Sequence, residues 1–165
     1  MGKKIFDNLE GYFCVGALAL MSVVVFVQVV CRFVLQSSLP WSEELSRYLL
    51  VWVSFLGGAY GVRQGAHIGV EAFMLLLPKK MQKVVAILVT IASIFLCAVI
   101  FKYGFDIVAT QLSKMQVSPA MRIPMGYMYA AIPIGMFFFI VRYVQMLFEQ
   151  VKDFNAKDAK VGGAE

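Results

Sequence analysis

Four stretches of the chain hold no charged residue: Gly11 to Cys31, Tyr48 to Val62, Val84 to Phe101 and Ile123 to Val141, of 21, 15, 18 and 19 residues. A helix rises about 1.5 Å per residue and the hydrocarbon core of a bilayer is about 30 Å thick, so the first, third and fourth runs predict membrane-spanning helices outright. The second run is short. It reaches about 26 Å only when Arg47 and Arg63 at its ends are counted, their stems lying along the apolar slab and their guanidinium groups reaching water. The predicted fold is an all-α integral membrane protein with four transmembrane helices at about 11–34, 44–66, 83–104 and 123–145. They form one domain over residues 1–150, and the polar residues 151–165 read as a disordered tail.

The connections carry patterns of their own. Pro40 suits a first helical turn, and Glu43 and Glu44 behind it complement the positive end of a helix dipole. An interfacial helical turn is therefore expected before the second span. Glu43 and Arg47 stand four apart, and Trp41 sits where an indole favours the interface. Two readings of this turn are open: a solvated turn with a belt tryptophan, or a contact surface for another polypeptide. After the third run, Phe101, Phe105, Val108, Leu112 and Met115 recur at helical spacing, while Lys102, Asp106, Thr110 and Ser113 take another face. This predicts a helical extension of about 20 Å on the outer side, with Lys102, Asp106 and Lys114 as a candidate periplasmic docking surface. Ser118-Pro119 is expected to break that helix, and Pro133 to kink the fourth span.

At 61% apolar and 15% charged, the composition lies far from that of soluble domains and agrees with a membrane protein. The net charge of +5 comes from fifteen basic residues scattered over several segments, which argues against nucleic acid as a partner. Their asymmetry speaks to topology. With the N-terminus inside, Lys3, Lys4, Arg63, Lys79, Lys80, Lys83, Arg142, Lys152, Lys157 and Lys160 are cytoplasmic, against Arg32, Arg47, Lys102, Lys114 and Arg122 outside. Both termini, and with them the tail, are expected in the cytoplasm. A cleavable signal ending at Ala17-Leu18-Ala19 would leave too few apolar residues to anchor, so the first helix is read as retained. Cys14, Cys31 and Cys97 form no C-x-x-C and read as buried thiols. One histidine, His67, rules out bis-histidine haem ligation within the chain, and a zinc site lacks ligands. Neither an enzyme nor a bound cofactor is expected.

Span two carries Ser54, Gly57, Gly58, Gly61, Gly65 and Gly69, four of the glycines repeating every fourth residue. Such a stripe lets a second backbone approach closely, through dispersion and weak Cα hydrogen bonds, where lipid removes the hydrophobic drive. A helix of the same chain is the first reading of what fills it, and a partner subunit's helix the alternative. Arg63, His67 and Glu71 extend one helical face into the cytoplasmic interface, where His67 reads as a hydrogen-bonded interface residue or as a titrating one. Ion-coupled carriers place ionisable groups or broken helices near the midplane, and the four runs offer only Pro133 and isolated hydroxyls and amides.

The residues that stand out together are Arg32-Phe33, Pro40-Trp41-Ser42-Glu43-Glu44-Leu45-Ser46-Arg47, Trp52, Phe55-Leu56-Gly57-Gly58-Ala59-Tyr60 and His67-Ile68. This constellation resembles the small permease subunit of tripartite ATP-independent periplasmic (TRAP) transporters, the DctQ-like family. The resemblance implies an inner-membrane subunit bound to a separate large permease that holds the sodium and substrate sites, with a periplasmic binding protein delivering an organic acid. It implies a scaffold role, with Arg32, Trp41, Glu43, Glu44, Arg47, Trp52 and His67 as family-motif residues at interfaces. Substrates of such transporters include dicarboxylates, sialic acid and other sugar acids, and the chain as a whole leans toward the sialic-acid branch. The alternative is a stand-alone channel or exporter, a homo-oligomer packed through the glycine stripe in membrane lipid.

Overall fold

The computed structural model describes residues 9–37, 39–63 and 78–161. Gly65, His67, Gly69 and Glu71 lie outside them. Among the described residues the helices are, in order, α1 over Leu9–Phe33, α2 over Pro40–Arg63, α3 over Lys79–Ser113, a single turn α4 over Gly126–Tyr129, and α5 over Ala131–Val161. Among the described residues four segments are long and apolar enough to cross a membrane, at Gly11–Phe33, Pro40–Val62, Met81–Ser113 and Gly126–Lys152. The charge-free runs thus mark real helices, and the third helix continues past its run as one rod.

Local chemistry sets the helix ends. After α1, Gln36 adopts a left-handed backbone (φ 51°), which lets the Ser37 N–H return to the Cys31 carbonyl at 3.1 Å. Pro40 opens α2 where no N–H is needed, and the buried Ser42 hydroxyl donates to the Leu39 carbonyl at 2.7 Å, tying the preceding residue to the first turn. At the end of α3, Met115 turns left-handed (φ 47°), so the helix stops at Ser113, ahead of the expected break at Ser118-Pro119. The chain then forms a small hairpin, with Val117 bridged to Pro124 and the Ser118 N–H donating to the Ile123 carbonyl at 2.9 Å.

Pro133 acts one turn upstream of itself. It has no N–H to offer the Tyr129 carbonyl, and the helix is interrupted at Ala130, between α4 and α5. The flanking bonds survive, Ala130 N–H to Gly126 at 2.9 Å and Ile134 N–H to Ala130 at 3.1 Å, so the break bends the span without ending it. At its far end α5 continues through Val161, into the segment whose composition suggests disorder. Residues 151–161 contain neither glycine nor proline, and the pair Gly162-Gly163 follows.

The helices stand in an open row. Helix α1 packs on α2, α2 on α5 and α5 on α3, while α4 joins the outer end of α3 to α5. Small residues set the close approaches, as expected where lipid removes the hydrophobic drive. A Cβ on Gly135 of α5 would stand 2.5 Å from the Cβ of Phe55 on α2. One on Gly104 of α3 would stand 3.3 Å from the Cδ of Pro133, and one on Gly126 would stand 2.6 Å from a Leu112 methyl. At the other end, Val62, Cys97 and Tyr143 bury one another where α2, α3 and α5 converge.

Candidate functional site

The most elaborate polar arrangement lies at the outer end, where the first turns of α2 meet the hairpin after α3. Glu44 is 8% exposed. Its Oε2 accepts the backbone N–H groups of Ala120 at 3.0 Å and Met121 at 2.9 Å. Its Oε1 accepts the Tyr48 hydroxyl from one turn further along α2. The buried Ser118 hydroxyl also bonds Glu44, and its oxygen accepts the Ile123 N–H at 3.3 Å. Every partner of the carboxylate donates, so its ionised form is the one the site fits. Consecutive turn amides such as those of Ala120 and Met121 form a small anion-binding concavity, and here the anion belongs to the same chain.

This lock shapes two clefts. The larger, of about 570 Å³, lies between the Pro40–Tyr48 turn and the Pro119, Met125, Met128 and Tyr129 side chains. Glu43 and Arg47, both exposed, stand on its rim. The smaller, of about 370 Å³, lies between α1 and α2 and is lined by Gln28, Arg32, Leu39, Pro40 and Glu43. Pro40 and Glu43 separate the two. The outer surface therefore presents Arg32, Glu43 and Arg47 around a rigid ridge, with Trp41 exposed beside it.

The sequence-predicted residues separate into groups. Arg32, Trp41, Glu43 and Arg47 come together at this outer end. Glu44 belongs there too, with its carboxylate turned inward onto the hairpin amides. Trp52 is half-buried in α2, and Ser54 is exposed, its hydroxyl returned to the Leu50 carbonyl at 2.8 Å. The described glycines of the stripe face different neighbours. A Cβ on Gly57 would stand 3.5 Å from the Cys14 sulfur of α1, and one on Gly58 would stand 2.6 Å from Phe139 of α5. One on Gly61 would meet nothing within 4 Å. Lys102, Asp106 and Lys114 are exposed on α3 and just beyond it. Sequence reading missed Tyr48, Ser118 and the Ala120 and Met121 amides; Ser118-Pro119 signalled only a helix break.

A four-span membrane protein with this outer turn has known counterparts. Residues 21–153 match the model of the family described as "Tripartite ATP-independent periplasmic transporters, DctQ component", a match that covers the second half of α1, all of α2, α3 and α4, and α5 as far as Asp153. The chain belongs to that family of transporter permease subunits. It is 30% identical over 118 residues to a putative TRAP transporter small permease protein of Haemophilus influenzae, covering 72% of each chain. It is 25% identical over 152 residues to the sialic acid TRAP transporter small permease protein SiaQ of Vibrio cholerae, covering 92% of this chain and 87% of that one. It is 28% identical over 162 residues to the isethionate TRAP transporter permease protein DctMQ of Oleidesulfovibrio alaskensis, covering 94% of this chain but only 25% of that one. The chain thus spans about a quarter of that relative.

Proposed function

We propose that the chain is the small, non-catalytic membrane subunit of a sodium-coupled TRAP transporter, bracing a large permease subunit for the uptake of an organic acid delivered by a periplasmic binding protein. It acts in the inner membrane with both termini cytoplasmic. The observation that carries this reading is the family match over residues 21–153, together with a relative in which the matching region makes up a quarter of a longer permease. The open row of helices supports it. Among the described residues, a row in which α1 packs mainly on α2 and α3 mainly on α5 leaves wide faces for a second protein, whereas a closed bundle would bury them.

Within this reading the parts divide the work. The large permease holds the sodium and substrate sites. The charges around Pro40, with Lys114 beyond α3, face the binding protein on the periplasmic side. Gly61, open within the chain, receives a helix of the large permease. The substrate is an organic acid such as sialic acid, another sugar acid or a dicarboxylate. Two relatives whose names specify isethionate and sialic acid are similarly distant from this chain, so similarity alone does not choose among them.

Co-expression of the tagged chain with the large permease tests the assignment. The two are expected to purify together in detergent, and the chain expressed without its companion to accumulate poorly. A chain that accumulates normally and purifies only with copies of itself would favour a homo-oligomeric channel or exporter.

A further inference from the structure

The register of α1 on α2 brings two opposite charges to the outer edge of the membrane. A Cβ on Gly11 would stand 3.1 Å from the Tyr60 ring, and one on Gly57 would stand 3.5 Å from the Cys14 sulfur. In an antiparallel pair these contacts put Gln28 level with Glu43, and Arg32 level with Leu39. The same four residues, with Pro40, line the smaller cleft of about 370 Å³. Contacts at one end of the pair and the cavity at the other therefore agree. Arg32 is the first charge after the 21 uncharged residues that begin at Gly11. That run rises about 30 Å, the thickness of the hydrocarbon core, so the cleft opens at the depth of lipid headgroups.

The cleft has the chemistry of a zwitterion site. Arg32 and Glu43 are exposed, and among the described residues no hydrogen bond or ion pair ties either side chain to the rest of the chain. Their levels differ by about one helical turn, or about 6 Å. Gln28 adds an amide that both donates and accepts. A guanidinium holds phosphate through two parallel N–H groups, and a carboxylate accepts hydrogen bonds from an ammonium. A phospholipid whose phosphate and primary ammonium are joined by two carbons offers both partners at once. A choline headgroup has no N–H to give Glu43, and a glycerol headgroup sets Glu43 beside an uncompensated negative charge.

Below the charges both helices continue apolar on the same side. Leu18, Val25 and Arg32 recur every seven residues on α1, and Glu43 and Leu50 are seven apart on α2, so each set shares a helical face. Because Arg32 and Glu43 line one cleft, the faces beneath them adjoin. Leu18, Val25 and Leu50 are exposed by 42, 40 and 51%, whereas Cys14 and Ala17, which seal the seam beside them, are buried. The register puts Leu50 level with Met21, between Val25 and Leu18. The three side chains make an apolar wall that descends from the cleft into the hydrocarbon. A polypeptide docking from the periplasm could meet the charges but not this wall; an acyl chain attached to the headgroup meets both.

We propose that the cleft between α1 and α2 binds a phospholipid of the outer leaflet with an ethanolamine headgroup. Arg32 holds the phosphate, Glu43 holds the ammonium, and Leu18, Val25 and Leu50 support an acyl chain. Glu43 also stands on the rim of the larger cleft, so the bound headgroup forms one edge of the docking surface proposed above. The site needs only the chain in a membrane and does not rest on the pairing with a large permease.

The test is native mass spectrometry of the full chain, purified in detergent and equilibrated with phosphatidylethanolamine, phosphatidylcholine or phosphatidylglycerol of one acyl composition. One phosphatidylethanolamine per chain should be retained, about threefold or more tighter than either of the others. Arg32→Gln should weaken all three lipids, which share the phosphate, by about threefold to tenfold. Glu43→Gln should weaken phosphatidylethanolamine alone and erase its preference over phosphatidylglycerol. Both side chains are exposed, so the thermal midpoints of the two variants should match that of the unsubstituted chain. Lys114→Gln removes an outer charge away from the cleft and should leave lipid retention unchanged. Glycerophosphoethanolamine, the same headgroup without acyl chains, should not displace the lipid at equal concentration. Equal retention of the three lipids, retention undiminished in the Arg32 and Glu43 variants, the same loss from Lys114→Gln as from Arg32→Gln, or displacement by the headgroup alone would each overturn the proposal.

Discussion

Gly135→Ala is the sharpest test of how the row is held together. The added Cβ would stand 2.5 Å from the Phe55 Cβ and 3.1 Å from its Cγ. Carbon atoms prefer about 3.5–4.0 Å, so a gap of about 1 Å must open. The Phe55 Cβ is bonded directly to the α2 backbone and cannot rotate away, so the two helices themselves must separate. Overpacking of this kind costs about 1–3 kcal/mol, against about 1 kcal/mol recovered from the better helix propensity of alanine. Gly61→Ala is the matched control, since a Cβ there meets nothing within 4 Å. The propensity gain is common to both variants, so their difference isolates the clash. Thermal unfolding of the two proteins in the same detergent should place the Gly135→Ala midpoint below that of Gly61→Ala by about 2–4 °C for each kcal/mol. Equal midpoints would refute the close α2–α5 contact.

Other substitutions separate the chain's own packing from its surfaces. Glu44→Ala removes the acceptor shared by the Ala120 and Met121 amides, and their hydrogen exchange should quicken by about an order of magnitude or more; Glu44→Gln keeps one acceptor oxygen and should fall between. Exchange unchanged in both variants would show that the hairpin is held by other means. Gly61→Leu should not lower the midpoint of the isolated chain while lowering co-purification with the large permease, and full co-purification would remove Gly61 from that interface. Glu43→Lys reverses an exposed charge without touching the lock, so it should weaken uptake that depends on the binding protein while leaving co-purification intact; undiminished uptake would exclude Glu43 from the docking surface.

The four spans were legible because apolar runs in a membrane protein are long and interrupted only at their ends. The outer turn was legible in part. Pro40, Trp41, Glu43 and Arg47 lie where the pattern suggests, but the role of Glu44 depends on amides 76 and 77 residues further along, a separation that no local spacing encodes. The glycine repeat announced close packing without naming the neighbour. Among the described glycines the tight approaches use Gly58, Gly104, Gly126 and Gly135, while a Cβ on Gly61 would meet nothing within 4 Å.

The most direct measurement of the account is solute accumulation in sealed vesicles. Vesicles holding only this chain should accumulate no organic acid under an imposed sodium gradient. The same vesicles supplied with the large permease and the binding protein should take it up. Gradient-driven accumulation by the chain alone would contradict the assignment of the transport pathway to its partner.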